Sequence, residues 1–204
     1  MIVMAVGQGV FNKILVHISV NTVAAYQVAG RLDMLVFLPI FSIAASLTTL
    51  VGMFHGAKEY GALRYIIKYG IFSALLITII SSTIVYTFAG HVVRFFTDDA
   101  SIVIIAVNFL QIFAFAYPFI SVGITTGRVL QGLGKGLPVL IITIVRVLGV
   151  SAPLALFFVF IMDKTVEWVW YSMMLSTIVA FGIGLTWLIS TLKTLPTSGQ
   201  SLNN

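Results

Sequence analysis

Residues 34–54 read MLVFLPIFSIAASLTTLVGMF, a stretch without a single charged side chain. A helix rises about 1.5 Å per residue, so roughly 20 apolar residues cross a hydrocarbon layer about 30 Å thick. This stretch reaches that length by itself. Asp33 precedes it and His55 and Lys58 follow it, so polarity returns where a span ends. Pro39 lies inside and is expected to kink the helix.

Five further blocks of similar character lie on either side. They are 1–20, 62–90, 100–123, 137–162 and 166–192, and the quoted span belongs to a block covering 23–54. Polar or glycine-containing breaks separate them. Composition agrees: 60% of the 204 residues are hydrophobic and 8% are charged, with mean hydropathy +1.12. Soluble domains carry about 25% charge, so lipid must solvate most of this surface. The expected fold is all-α, a polytopic membrane bundle of about six transmembrane helices. Residues 1–193 form the transmembrane unit, and 194–204 are expected to be a disordered cytoplasmic tail. The first block has no lead-in and reads as truncated. Pro118 and Pro153 fall inside the fourth and fifth blocks.

Alternate connections carry Lys58, Arg64, Lys68, Arg128, Lys135 and Lys193, six of the eleven basic residues. The positive-inside bias makes that side cytoplasmic, with both termini there. The opposite connections hold Arg94 and Lys164 with Asp98, Asp99, Asp163 and Glu167. Trp168, Trp170 and Tyr171 are expected in an outer aromatic belt, and Tyr60, Tyr65 and Tyr69 in an inner one. Thr97 or Asp98 is expected to cap the fourth helix. The net charge of +5 is spread over helix ends and does not form a nucleic-acid face. The absence of cysteine removes disulfides and thiolate metal sites. No basic leader or cleavage site marks a signal peptide.

No clustered nucleophile, metal set or acid–base pair suggests an enzyme. The run Gln131-Gly132-Leu133-Gly134-Lys135-Gly136 is a faint likeness of a phosphate loop, without a preceding strand, and reads as a flexible turn. The informative residues are polar groups inside crossings, which are costly in lipid and usually face a cavity. Arg146 is the deepest, about nine residues into the fifth block. It either lines a cavity or bonds carbonyls freed near a proline. Lys13 and His17 are four apart and share a helix face, lining a pathway or snorkelling to the surface. Arg31 and Asp33 are two apart and do not face each other. Each needs another partner or anchors at the interface. Asn108 and Gln111 share a face of the fourth helix and suit interhelical hydrogen bonding or a cavity, and Gln8 and Gln27 are similar. The run Phe109, Phe113, Phe115, Tyr117 and Phe119 circles its helix, mixing packing with lipid contact, and aromatic walls also suit a drug pocket.

Several strings, in order, resemble one family. Val23-Ala-Ala-Tyr-Gln-Val-Ala-Gly-Arg31 leads into Phe37-Leu-Pro39, then Ala44-Ala45-Ser46-Leu-Thr-Thr-Leu-Val51-Gly52, then Gly56-Ala57. This resembles the eighth helix of MATE transporters. Phe96-Thr-Asp98, then Gln131-Gly132-Leu-Gly134-Lys135, then Arg146 and Pro153-Leu154-Ala155 resemble the family's tenth-helix opening, its "QG.GK" connection and its eleventh helix. The resemblance covers residues 1–193.

It implies the C-terminal six-helix lobe of a twelve-helix, two-lobe transporter in the cell membrane. Such transporters export cationic and amphipathic drugs or toxins in exchange for Na⁺ or H⁺, with no organic cofactor. The N-terminal lobe and its first-helix aspartate lie outside this sequence. Some members place an aspartate on the tenth helix where this chain has Ser121, and others an acid on the seventh where it has Gln8. Asp33 is the carboxylate left within a crossing. The implied cavity-lining set is Gln8, Lys13, His17, Arg31, Asp33, Asn108, Gln111, Ser121 and Arg146. A lipid-linked oligosaccharide flippase, whose pyrophosphate Lys13, Arg31 and Arg146 would bind, is the near alternative. A non-functional fragment is another.

Overall fold

A computed structural model describes residues 2–196. Of the tail expected to be disordered, 194–204, residues 197–204 lie outside the described residues, while Leu195 is held through its carbonyl by Arg64.

The order of elements is α1 (Ile2–Ile18), α2 (Val20–Gly56), α3 (Tyr60–Arg94), α4 (Ala100–Gly132), α5 (Leu137–Ile144), a π-helical segment Val145–Ser151, α6 (Ala152–Leu156), a second π segment Phe157–Ile161, and α7 (Val166–Lys193). The segments from Leu137 to Ile161 run on as one rod. That rod and α2, α3, α4 and α7 are each long and apolar enough to cross a membrane. With the 17-residue α1 they make the expected six apolar rods.

Local chemistry sets the ends. Ser19 alone separates α1 from α2. Its extended backbone and its hydroxyl, which accepts the Thr22 N–H at 3.1 Å, start the new helix. α2 then runs 37 residues through Pro39. The cap of α4 is Asp99, not Thr97 or Asp98. Its Oδ1 accepts from the Ser101 hydroxyl at 2.6 Å and from the Ser101 and Ile102 N–H groups at 2.8 and 3.4 Å. Those bonds, led by the Ser101 hydroxyl, hold its carboxyl below the ordinary carboxylate range. Asp99 lies one residue before the helix, where a side chain reaches the second and third free N–H groups.

α4 also outruns the expected stop at Gly123 by nine residues. A Cβ at Gly123 would meet nothing within 4 Å, so this glycine only weakens the helix and does not end it. The end comes at Gly134, with φ +76°. Lys135 N–H donates to Leu130 O at 2.8 Å and Gly134 N–H to Gln131 O at 2.9 Å. This is the Schellman pattern, closed by a left-handed glycine. The expected flexible turn is thus a hydrogen-bonded helix cap.

The rods alternate in direction. At one end Arg64, in the first turns of α3, donates to Leu192 O and Leu195 O at 3.1 Å each, beside the last turn of α7. Lys135 donates to Thr191 at 3.4 Å there. At the other end Asn21 donates to Ser101 and Asn108 to Glu167, each at 2.9 Å. α1, α2, α4 and α7 pack through Phe11, Leu15, Leu32, Ile40, Leu110 and Trp170, and α3 joins α2 and α4 in a second cluster of Leu47, Val51, Leu63 and Leu130 near the basic end. Small residues permit close crossings: a Cβ on Gly132 would sit 2.7 Å from Thr48 O. Apolar side chains face outward as well, among them Phe72, Ile80, Phe115 and Leu175. An apolar exterior over such a core suits lipid and would aggregate in water.

Trp170 departs from the expected outer belt. It is 0% exposed and stacks on Tyr26 at 5.8 Å, edge-on to Phe109 at 4.8 Å. Its neighbours Trp168 and Tyr171 are exposed. One turn of α7 therefore presents one aromatic inward and two outward.

Candidate functional site

A cavity of about 300 Å³ opens between α1, α2, α4, the first π segment and α7. Three ionisable side chains from two rods line it: Tyr26 and Asp33 of α2 are joined by Arg146 of the π segment. Gln8 enters from α1, and Ser151, Ser176 and Thr177 complete the polar wall. Phe11, Phe109, Phe113, Ile120, Val147 and Met173 supply the apolar wall.

Each polar group is placed by its own element. Asp33 and Tyr26 are seven residues apart, two helical turns, so they point to the same side of α2. Asp33 accepts a hydrogen bond from the Tyr117 hydroxyl of α4. Tyr117 is 0% exposed and packs edge-on to Phe37 at 5.3 Å, which fixes the ring. Ser176 and Thr177 both donate to Met173 O, at 2.7 and 3.0 Å. Their donors are spent on their own helix, and their oxygen lone pairs remain as acceptors.

Arg146 occupies a local irregularity. The sequence predicts a plain helix over 137–162, whereas residues 145–151 and 157–161 wind as π-helix. Pro153 lies between the two segments and has no N–H to close an α turn on Gly149. Wider turns on either side accommodate the loss, and π segments recur at functional positions. α1 approaches this segment closely: a Cβ on Gly7 would lie 2.3 Å from Val147 Cγ1.

The structure thus gathers Gln8, Asp33 and Arg146 of the expected set. It leaves the other six away from the cavity wall. Lys13 and His17 are exposed, with His17 stacked on Phe160 at 4.7 Å. Arg31 is exposed, which separates it from Asp33 as their spacing requires. Asn108 bonds Glu167 near the end of the bundle, and Gln111 is half-buried elsewhere on α4. Ser121 is 0% exposed and donates to the carbonyl of Pro118 itself at 3.0 Å. Tyr26, Ser151, Ser176 and Thr177 were not anticipated. Ser172 and Ser176 in an otherwise apolar span were the available signal, since hydroxyls four apart share a helix side.

Six apolar rods around a cavity with ionisable lining define a polytopic membrane-type helix bundle, and comparison with known proteins gives its family. The MatE family model matches residues 1–157, and the chain belongs to that family. A probable multidrug resistance protein NorM of Thermotoga maritima is 28% identical over 153 residues, 75% of this chain and 33% of that protein. A NorM of Bacillus cereus is 28% identical over 85% of this chain and 37% of its own length. Among solved structures, a MATE protein in the straight conformation superposes with TM-score 0.88 at 26% identity, covering 95% of this chain and 44% of that one. A MOP-superfamily transporter from Pyrococcus furiosus gives TM-score 0.88 at 25% identity over 97% of this chain and 44% of its own. The chain spans about a third of the length of the curated relatives it matches.

Proposed function

We propose that this chain forms one lobe of a secondary transporter that exports amphipathic compounds in exchange for Na⁺ or H⁺. The observation that carries the reading is the cavity, where Asp33, Tyr26 and Arg146 converge between rods against an aromatic wall. Burying ionisable groups in a membrane bundle is costly and is repaid where a pathway needs them. The relatives' names, multidrug resistance proteins, support the substrate class.

The transport cycle is alternating access, in which two lobes rock about a central cleft. This lobe supplies one wall of the cleft, and a second lobe supplies the other. Asp33 is the carboxylate on the cavity wall and serves as this lobe's partner for the coupling ion. The basic end, with Lys58, Arg64 and Lys135, faces the cytoplasm. The flippase reading loses support, because Lys13 and Arg31 do not join Arg146 at the cavity.

The test is uptake of a fluorescent amphipathic dye into everted vesicles that hold this chain together with the N-terminal lobe of a NorM relative. Uptake that collapses with the ion gradient is expected. Arg146→Ala should lower it at least about tenfold, and Arg94→Ala, at the end of α3, by less than about twofold. Equal uptake by both variants would contradict the assignment of the cavity.

A further inference from the structure

Within this transport reading, we propose that the cavity is built for an amphipathic ligand bearing an anionic group, a carboxylate above all, with Arg146 as its receptor. Three observations converge. Among the described residues Arg146 has no hydrogen-bond partner, although it lies within a crossing and on the cavity wall. Asp33, the other charged group on that wall, has its Oδ1 engaged by Tyr117, so α4 supports the carboxylate and Arg146 does not. The remaining polar lining, Gln8, the Tyr26 phenol, Ser151, Ser176 and Thr177, carries no formal charge.

The chemistry follows. A guanidinium offers five donors in a planar fork that matches a carboxylate in bidentate fashion. In a protein interior an unpaired charge is expensive, and a charged ligand group removes that expense. Phe11, Phe109 and Phe113 stand on the same wall, with Phe109 and Phe113 stacked at 4.2 Å. They offer flat apolar surface to a ring system attached to the anionic head. A ligand with a second, cationic group would set it towards the free oxygen of Asp33. A purely cationic ligand would have to enter beside Arg146 against its charge.

The experiment uses the 204-residue chain in nanodiscs of neutral phosphatidylcholine, so that no anionic lipid competes. Two probes with one fluorophore are titrated, dansylglycine (a carboxylate) and dansylcadaverine (an ammonium), with empty nanodiscs as the blank. Dansylglycine is expected to bind about tenfold or more tightly than dansylcadaverine. Arg146→Gln should abolish that preference by weakening the carboxylate probe alone, and Arg146→Lys should restore part of it. Competition on the unsubstituted chain by decanoate against decylammonium reads the same preference without any substitution.

Tighter binding of the ammonium probe, or a carboxylate preference that survives Arg146→Gln, overturns the assignment of Arg146 and leaves the transport reading standing. Saturable binding of neither probe overturns both.

Discussion

At the scale of single residues, two glycines two positions apart do different work. Gly132 lies at the crossing of α4 with α2, where an added Cβ would meet the Thr48 carbonyl at 2.7 Å and Val51 at 3.0 Å. One of those atoms is backbone and cannot turn aside, so the helices must separate. Gly134 has open space around it, and its constraint is the φ of +76° that closes the cap. Gly132→Ala is therefore expected to destabilise by about 1–3 kcal/mol through overpacking. Gly134→Ala should cost about 1–2 kcal/mol through backbone strain alone. Gly136→Ala has neither penalty and serves as the reference. Thermal unfolding of the three variants in detergent checks this, and a Gly132→Ala protein as stable as Gly136→Ala would refute the crossing. The "QG.GK" string was legible as a family feature. Its two separate causes were not, because a close approach between helices leaves no trace in local sequence.

At the scale of elements, uncharged runs between polar breaks gave all six rods to within a few residues, except the end of α4. Hydrocarbon length is a strong signal, because every backbone group must be satisfied within its own helix. The fine winding of a rod leaves a weaker one. Pro153 was visible, but the π segments around it were not, since a widened turn has the composition of an α turn. The placement of Trp170 was lost similarly: belt and core both favour an aromatic, and the packing of Tyr26 and Phe109 decides between them. The first π segment bears on the cavity, because its extra backbone length sets how Arg146 is turned relative to α6. Deleting Leu148 should restore α winding and rotate Arg146 by about 100° against Ala152 and Ala155. Binding of a fluorescent amphiphile is then expected to fall about tenfold, with far-ultraviolet circular dichroism unchanged. Deleting Phe157, in the second π segment and off the cavity wall, should leave binding within about twofold. Equal losses from the two deletions would show that rod length matters and the π turn does not.

At the scale of the whole molecule, direction and charge are linked. The α2–α3 and α4–α5 connections lie at the end where Arg64 and Lys135 meet the last turn of α7. The α3–α4 and α6–α7 connections lie at the other, with Asp99 and Asp163. Arg64 donates to the carbonyls at the end of α7 directly, so a cation on which the proposed orientation rests also satisfies a helix terminus, whose dipole favours positive charge. α2 is 37 residues long, about 55 Å at 1.5 Å per residue, and exceeds a hydrocarbon core of about 30 Å. Tilt, or protrusion beyond the core, absorbs the excess. The chain contains no cysteine, so single introduced thiols report sidedness without a background. Gly136→Cys, in the α4–α5 connection, should react with a membrane-impermeant maleimide only after the cells are permeabilised. Thr165→Cys, in the α6–α7 connection, should react in intact cells. Both positions are exposed, so reactivity depends on the face of the membrane and not on burial. The same pattern at both sites would mean that the rod from Leu137 to Ile161 does not cross. The reversed pattern would place the Arg64 and Lys135 end outside, against the positive-inside bias.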